Sequence, residues 1–504
     1  MIRPVRRAVL LLPLAFACRG GEPDPTIASA PTDAPVYVRV RSWEEVLSAA
    51  PFLRASLAMA GEEGPPPRAS GIEREAFDDR LPFGIGLRKG GLALVLRRKE
   101  ASAPVPSPSS GWGVEALAGG ALGVWQGPKP TFGPLPGGDL PDGLLSARLF
   151  LPMIVEVSSP EIERAAGSVN TGLALAGGAP EGTLGETVAA WRAGLRALGT
   201  LDLSIEAAGG RFDALARLRP DEGSGFHRFA RSAKSATHTL AGFLSKEGTI
   251  LFAESSVDPV TFAAFFPKGF LGVGPVPFAP PGSLGTLVAE AAALQDGREA
   301  VEIGHAGGDV FIEFLAGLRD PGAYAALVES DRFANAIEGA VSGIPFLQDV
   351  VYERNAFHHS GAAVHRLRFA LREGMAGGLP GPLESLRAAI DRFGIACCAV
   401  VDDLLVAADG ADAETRIRAL LDRIRSGRLD RPGLAATLGS ARGRLAGIAL
   451  DLGEARNAFL RERAPMPLGG RIAATLEARD GVLEVAGTAE LRSLIPSGMP
   501  GMPR

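Results

Sequence analysis

Three of the chain's six histidines fall within eight residues, at His358, His359 and His365. If Ser360 and Gly361 form a two-residue hairpin turn, His359 pairs with Ala362 and His365 with Ala356. That register makes His358 and His365 diagonal neighbours on one sheet face. Two imidazoles can begin a metal site, so His358 and His365 are its candidate ligands. The same face offers only Arg354, Ala356 and Ala363 beside them, whereas zinc takes three or four protein ligands. The expectation is therefore no metal, with the histidines at a solvent-exposed hairpin tip or responding to pH. On the opposite face the register pairs Glu353 with Arg368 in a cross-strand ion pair.

Other chemistry is harder to assemble. A nucleophile elbow needs glycine two places either side of the serine, and neither Gly223-Ser224-Gly225 nor Gly439-Ser440 meets that spacing; these serines read as loop or cap residues. Gly84-Ile85-Gly86 has the first two glycines of a dinucleotide loop, but the third is misplaced and the run enters a hairpin instead of a helix. No Walker lysine follows a glycine loop, no His-Glu-x-x-His occurs, and Asp409 to Asp412 lacks calcium-loop spacing. The acid pairs Asp402-Asp403 and Glu44-Glu45 are explained by a turn and a helix cap, respectively. The expectation is no catalytic residue and no cofactor.

The N-terminal segment carries a different kind of signal. Arg3, Arg6 and Arg7 precede an apolar run from Ala8 to Phe16, and small Ala17 stands immediately before Cys18. The run is too short to cross a hydrocarbon core, which needs about 20 residues, and charges or prolines interrupt every later apolar stretch. This segment resembles the signal of bacterial lipoproteins. The resemblance covers Met1 to Cys18 and implies that Cys18 takes a diacylglyceryl thioether and becomes the first mature residue. Ala15 stands where that family favours Leu, so an ordinary secretory signal cut near Ala17 stays open, and Arg6-Arg7 also fits a twin-arginine signal. In lipoprotein sorting an Asp after the cysteine retains the protein in the inner membrane; Arg19 stands here, which by the same resemblance favours the outer membrane.

Composition suits a folded body of more than one domain, with 504 residues, 46% hydrophobic and 22% charged. Loss of residues 1–17 removes three arginines and no acids, leaving 49 basic against 57 acidic residues and a net charge near minus 8. That balance, with no basic stripe interleaved with aromatics, opposes nucleic-acid binding. Cys397 and Cys398 are neighbours that an extended strand points to opposite faces, so they read as two small core residues with no disulfide framework.

Punctuation divides the chain into a signal peptide (1–17), a lipid-anchored flexible tether (18–35), a first α+β domain (36–266), a Pro/Gly-rich linker (267–285), a second α+β domain (286–491) and a disordered tail (492–504). Within the domains a short apolar strand repeatedly leads into a capped helix. The strands are Val36–Val40, Ile154–Val157, Ile250–Ala253, Val310–Leu315, Leu404–Ala407 and Leu445–Leu450. Their caps are Ser42, Ser159, Asp258, Asp320, Asp412 and Asp451, with Pro following three of them at the first helical position. Hairpins are predicted at Lys89-Gly90-Gly91, Gly119-Gly120, Gly209-Gly210, Gly307-Gly308, Asp402-Asp403 and Asp480-Gly481. The sheets should be antiparallel, in two duplicated domains with amphipathic helices packed on one face.

This strand, capped-helix and hairpin pattern resembles uncharacterised bacterial extracytoplasmic proteins built from duplicated modules. The resemblance spans Val36 to Leu491 and carries over no catalytic residue. Together these features point to a membrane-tethered envelope lipoprotein that binds or scaffolds an envelope protein or apolar ligand. The alternative is an envelope hydrolase whose site is assembled from sequence-distant residues.

Overall fold

The computed structural model describes residues 24–49, 80–98, 111–158, 192–208, 211–233, 240–244, 248–258, 284–306, 309–342, 347–371, 394–410, 412–427, 433–438, 444–459 and 468–493, with Val105 and Ala189. Cys18, most of the 267–285 linker, the Ser159 cap and residues 494–504 lie outside them. The chain divides into two units, residues 1–227 with 481–488, and residues 228–480 with 489–504. The division falls within a helix, Gly225–Ser232. The architecture is α+β and mainly antiparallel, as expected.

In the first unit an antiparallel sheet runs in the order β10 (Arg211–Arg219), β9 (Thr200–Ala208), β8 (Leu145–Phe150), β2 (Val36–Val40), β3 (Phe83–Arg88), β4 (Gly91–Arg97), β6 (Ala121–Gln126) and β5 (Trp112–Ala116). Strand alternation sends Val38, Val40, Phe83, Ile85, Leu94, Leu96 and Leu122 to one face, where Trp43 and Val46 of the helix Trp43–Ala49 complete a core. Ser42 caps that helix, its hydroxyl accepting from the Glu45 N–H at 3.3 Å.

On the other face of this sheet lie residues 24–35, part of the segment expected to be a flexible tether. They are packed instead. Asp24 accepts from the Thr26 N–H at 2.9 Å and ion-pairs with Arg39, the Tyr37 hydroxyl donates to the Thr26 carbonyl, and the Leu135 N–H donates to Ile27 O at 3.0 Å. A short helical turn, Pro25–Ala28, leads into β1 (Ala30–Pro31), which pairs with β7 (Phe132–Gly133). Thr26, Ala30 and Ala34 are fully buried. The segment has no apolar period because it lies on the sheet as an irregular strap held by polar groups and small residues.

In the second unit, too, the described strands form an antiparallel sheet. Its order is β19 (Leu468–Arg479), β18 (Arg444–Asp451), β11 (Thr249–Ser256), β12 (Gln295–Ala306), β13 (Asp309–Leu318), β17 (Leu404–Gly410), β16 (Ile395–Val401), β15 (Ala362–Leu371) and β14 (Leu347–His359). Helices pack on both faces, which corrects the expectation of one. Leu315, Leu404 and Val406 meet Ile417, Leu420 and Leu421 of the helix Ala413–Ser426, while Ala316 and Leu405 on the reverse face meet Tyr324 and Val328 of the helix Pro321–Glu329. Each strand is apolar on both sides where two helical layers enclose it.

Most local signals are realised. Asp320 accepts from the Ala323 N–H at 2.9 Å with Pro321 behind it, and Asp451 accepts from Gly453 and Glu454 N–H at 2.9 and 3.1 Å. Asp320→Ala is expected to destabilise the second unit by about 1 kcal/mol, read as a lower denaturant midpoint at unchanged slope. The predicted strand Ile154–Val157 is overturned: residues 151–158 are helical. Pro152 suits a first helical turn, and that start outweighs a short β-branched run.

Candidate functional site

A strongly perturbed carboxyl sits on the β12–β13 hairpin. Its register places Glu302 directly opposite Glu313, and alternation turns both toward the helix Ala413–Ser426. Two carboxylates facing each other in a core need neutralising. Arg416 and Arg423, seven residues apart on that helix, both go to Glu313, at 3.7 and 3.1 Å. Arg423 also donates to the Phe243 carbonyl at 2.6 Å, and the Arg416 guanidinium lies 3.4 Å from the Phe311 ring centroid. Glu302 receives only the Thr249 hydroxyl on Oε1, and its Oε2 has no partner among the described residues. Burial first, with the Glu313 charge adding to it, pushes its carboxyl from the ordinary 4.5 up to about 8. Glu302 therefore holds a proton near neutrality. Yet Glu302 and Glu313 are 0% and 1% exposed, so neither can reach a substrate without the hairpin opening.

A second buried pair in the same unit joins Arg444 to Glu254, with the Arg444 guanidinium also on the Leu438 carbonyl at 2.9 Å. In the first unit Arg148 and Asp202 stand opposite each other on β8 and β9 and form a bidentate pair at 2.6 and 3.0 Å. Arg148 also donates to the carbonyls of Pro136, Gly138 and Asp139, at 2.7, 3.0 and 3.0 Å, so all five of its N–H donors are engaged. This guanidinium fastens the 136–139 loop onto the sheet.

The histidines do not converge. The Ser360-Gly361 turn and the His359–Ala362 pair are present, with both turn residues at positive φ. A bulge between Glu353 and Phe357, with Asn355 at φ 50°, breaks the expected His365–Ala356 pairing. His365 is buried, stacked on Tyr352 at 6.1 Å, and its Nδ1 accepts from the Asn355 N–H at 3.3 Å. Burial lowers its pKa and keeps it neutral. His358 is exposed, and His359 bonds Asp422 at 2.8 Å. Among the described residues, no group of three or more His, Cys, Asp and Glu is placed to hold a metal. Glu353 stands opposite Arg366, two residues from the expected Arg368, yet it ion-pairs with both.

Cys397 and Cys398 are free thiols on opposite faces of β16, with Cys397 in the core under the helix Ala413–Ser426 and Cys398 against the reverse-face core. Burial raises them to about 12 and about 11, which suppresses the thiolate. Ser224 caps the helix Gly225–Ser232, accepting from His227 N–H at 3.1 Å; Ser440 lies outside the described residues. Asp402 and Asp403 occupy a turn and pair with Arg425 and Arg298, while Glu44 and Glu45 pair with Arg80 and Arg41.

Gly84 and Gly86 have a role that the loop comparison missed. Gly86 faces the strap, where a Cβ would collide with Pro31, and Gly84 faces the ring of Tyr37, the β2 residue whose hydroxyl holds the strap at Thr26, where a Cβ would collide with that hydroxyl. Glycine at alternate positions of a strand marks a close backbone approach. A second missed signal is the like-charged register of Glu302 and Glu313, which follows from the Ala306–Asp309 pair by counting back along both strands.

No family model and no curated protein matches the chain. Among solved structures, crystal form III of TP0453 aligns over 49% of this chain and 76% of that one, at 10% identity and a TM-score of 0.26, a likeness that carries no argument about fold or function.

Proposed function

We propose that the protein is a bacterial envelope lipoprotein, anchored through Cys18 on the periplasmic or exterior side, with the outer membrane favoured over the inner. Its body serves as a binding or scaffold protein for an envelope protein or apolar ligand. The observation that carries this reading is the N-terminal sequence, where basic residues, a short apolar run and Ala17-Cys18 fit export followed by acylation. A lipid chain would supply the membrane attachment, since no helix among the described residues is long and apolar enough to cross a membrane. Two of the perturbed groups, Glu302 and His365, are sealed in cores, out of reach of a substrate, which supports a non-catalytic role for them. We also read the recurrent strand, capped-helix and hairpin module as the product of duplication.

Cys18→Ala tests the anchor. In cells fed labelled palmitate, the variant should lose the label and leave the membrane fraction. Unchanged labelling with unchanged membrane recovery would overturn the reading.

A further inference from the structure

The strap changes what an anchor at Cys18 can do. With a flexible tether through Pro35, the body could range about 60 Å from the acylated residue; folding of the chain from Asp24 onward leaves five residues between Cys18 and the body, a reach of about 20 Å. We propose that the corner of the first unit where the strap begins is held against the lipid headgroups, so that the bilayer surface is a docking partner of this unit. This rests on the Cys18 anchor proposed above.

Two features define the corner. Pro25–Ala28 packs beside the 118–120 turn and against β4 and β3. Arg97 and Arg98 follow at the end of β4, with the Arg98 N–H on the Gly120 carbonyl at 3.3 Å. The cationic Arg98 side chain at this position suits an anionic headgroup surface. The strap then runs along β3 to the opposite end of the hairpin, where Asp33 bonds Arg88 Nε at 2.9 and 2.8 Å. Seven residues of β4 separate the two ends by about 20 Å, enough to distinguish near from far. Gly84 and Gly86 keep the strap seated: a side chain at either would collide with Tyr37 or Pro31 and release chain length to the tether.

The test uses the full acylated protein in vesicles of phosphatidylethanolamine and phosphatidylglycerol carrying a headgroup-linked quencher. A fluorophore is placed on Ala118→Cys or on Lys89→Cys, both exposed, in a protein whose buried Cys397 and half-buried Cys398 are replaced by alanine so that neither is labelled. Quenching at position 118 should exceed that at position 89 severalfold. Gly86→Val should abolish the contrast by unseating the strap. A flexible glycine-serine insertion between residues 23 and 24 should abolish it with the strap still in place, which covers the case in which Gly86→Val fails to fold. Mass spectrometry of the same sample separates the two ways to fail. Acylated Cys18 with equal quenching at both positions overturns the docking and leaves the anchor standing, whereas an unacylated Cys18 overturns both.

Discussion

Arg148→Ala is expected to be among the most destabilising single substitutions in the first unit, lowering its stability by about 3–5 kcal/mol. Arg148 and Asp202 are 1% and 0% exposed, so removing the guanidinium strands a carboxylate in a nearly dry interior. Asp202 would keep only Arg219, which is half exposed and 3.3 Å away. The carbonyls of Pro136, Gly138 and Asp139 would lose their donors together, and the loop would lose its attachment to β8. For a unit of this size the loss corresponds to a melting temperature about 10 °C lower. The control is the double variant Arg148→Met with Asp202→Leu, which leaves no buried unpaired charge and should recover much of the loss. Chemical denaturation of the three proteins decides it, and a single-variant cost under about 1 kcal/mol would show that Arg219 and solvent suffice.

That pair was invisible in the sequence because its members are 54 positions apart and meet only through the β8–β9 register. Signals confined to a few neighbouring residues were legible. Asp320 and Asp451 cap helices, Ser360-Gly361 and Asp480-Gly481 turn hairpins at positive φ, and Cys397 and Cys398 part to opposite faces. Signals that depend on what lies across a sheet were not. The Asn355 bulge shifts the register that would have joined His365 to Ala356, and the second helical layer on Ala316 and Leu405 makes a two-sided core where alternation suggested one. The strap is the instructive case. Its sequence has the composition of a linker, and its binding site was written elsewhere, in the missing side chains of Gly84 and Gly86. Low apolar periodicity excludes a regular element but does not exclude packing by an irregular one.

The Glu302 carboxyl predicts an unusual pH dependence for the second unit. An unfolded glutamate ionises near 4.5, while in the fold burial moves the group to about 8. The folded state therefore binds the proton more tightly. Its contribution is fully present below pH 4.5, declines as pH rises, and is lost once pH passes about 8. The span amounts to roughly 5 kcal/mol at 1.36 kcal/mol per pH unit, an order-of-magnitude figure for a buried group. The groups facing Glu302 explain the direction. Thr249 gives one hydrogen bond, and Arg416 and Arg423 favour ionisation but are committed to Glu313, whose own charge opposes a second carboxylate across the hairpin. Glu302→Gln keeps the volume and the acceptor for Thr249 and removes the titration. It should leave stability nearly unchanged at pH 4.5 and raise it by several kcal/mol at pH 8.5, flattening this part of the profile. Denaturation of parent and variant at both pH values measures the difference directly, and parallel profiles would place Glu302 in its ordinary ionised form. Glu313→Gln should act oppositely at high pH, because it removes the partner of two arginines and strands their charges beside the core.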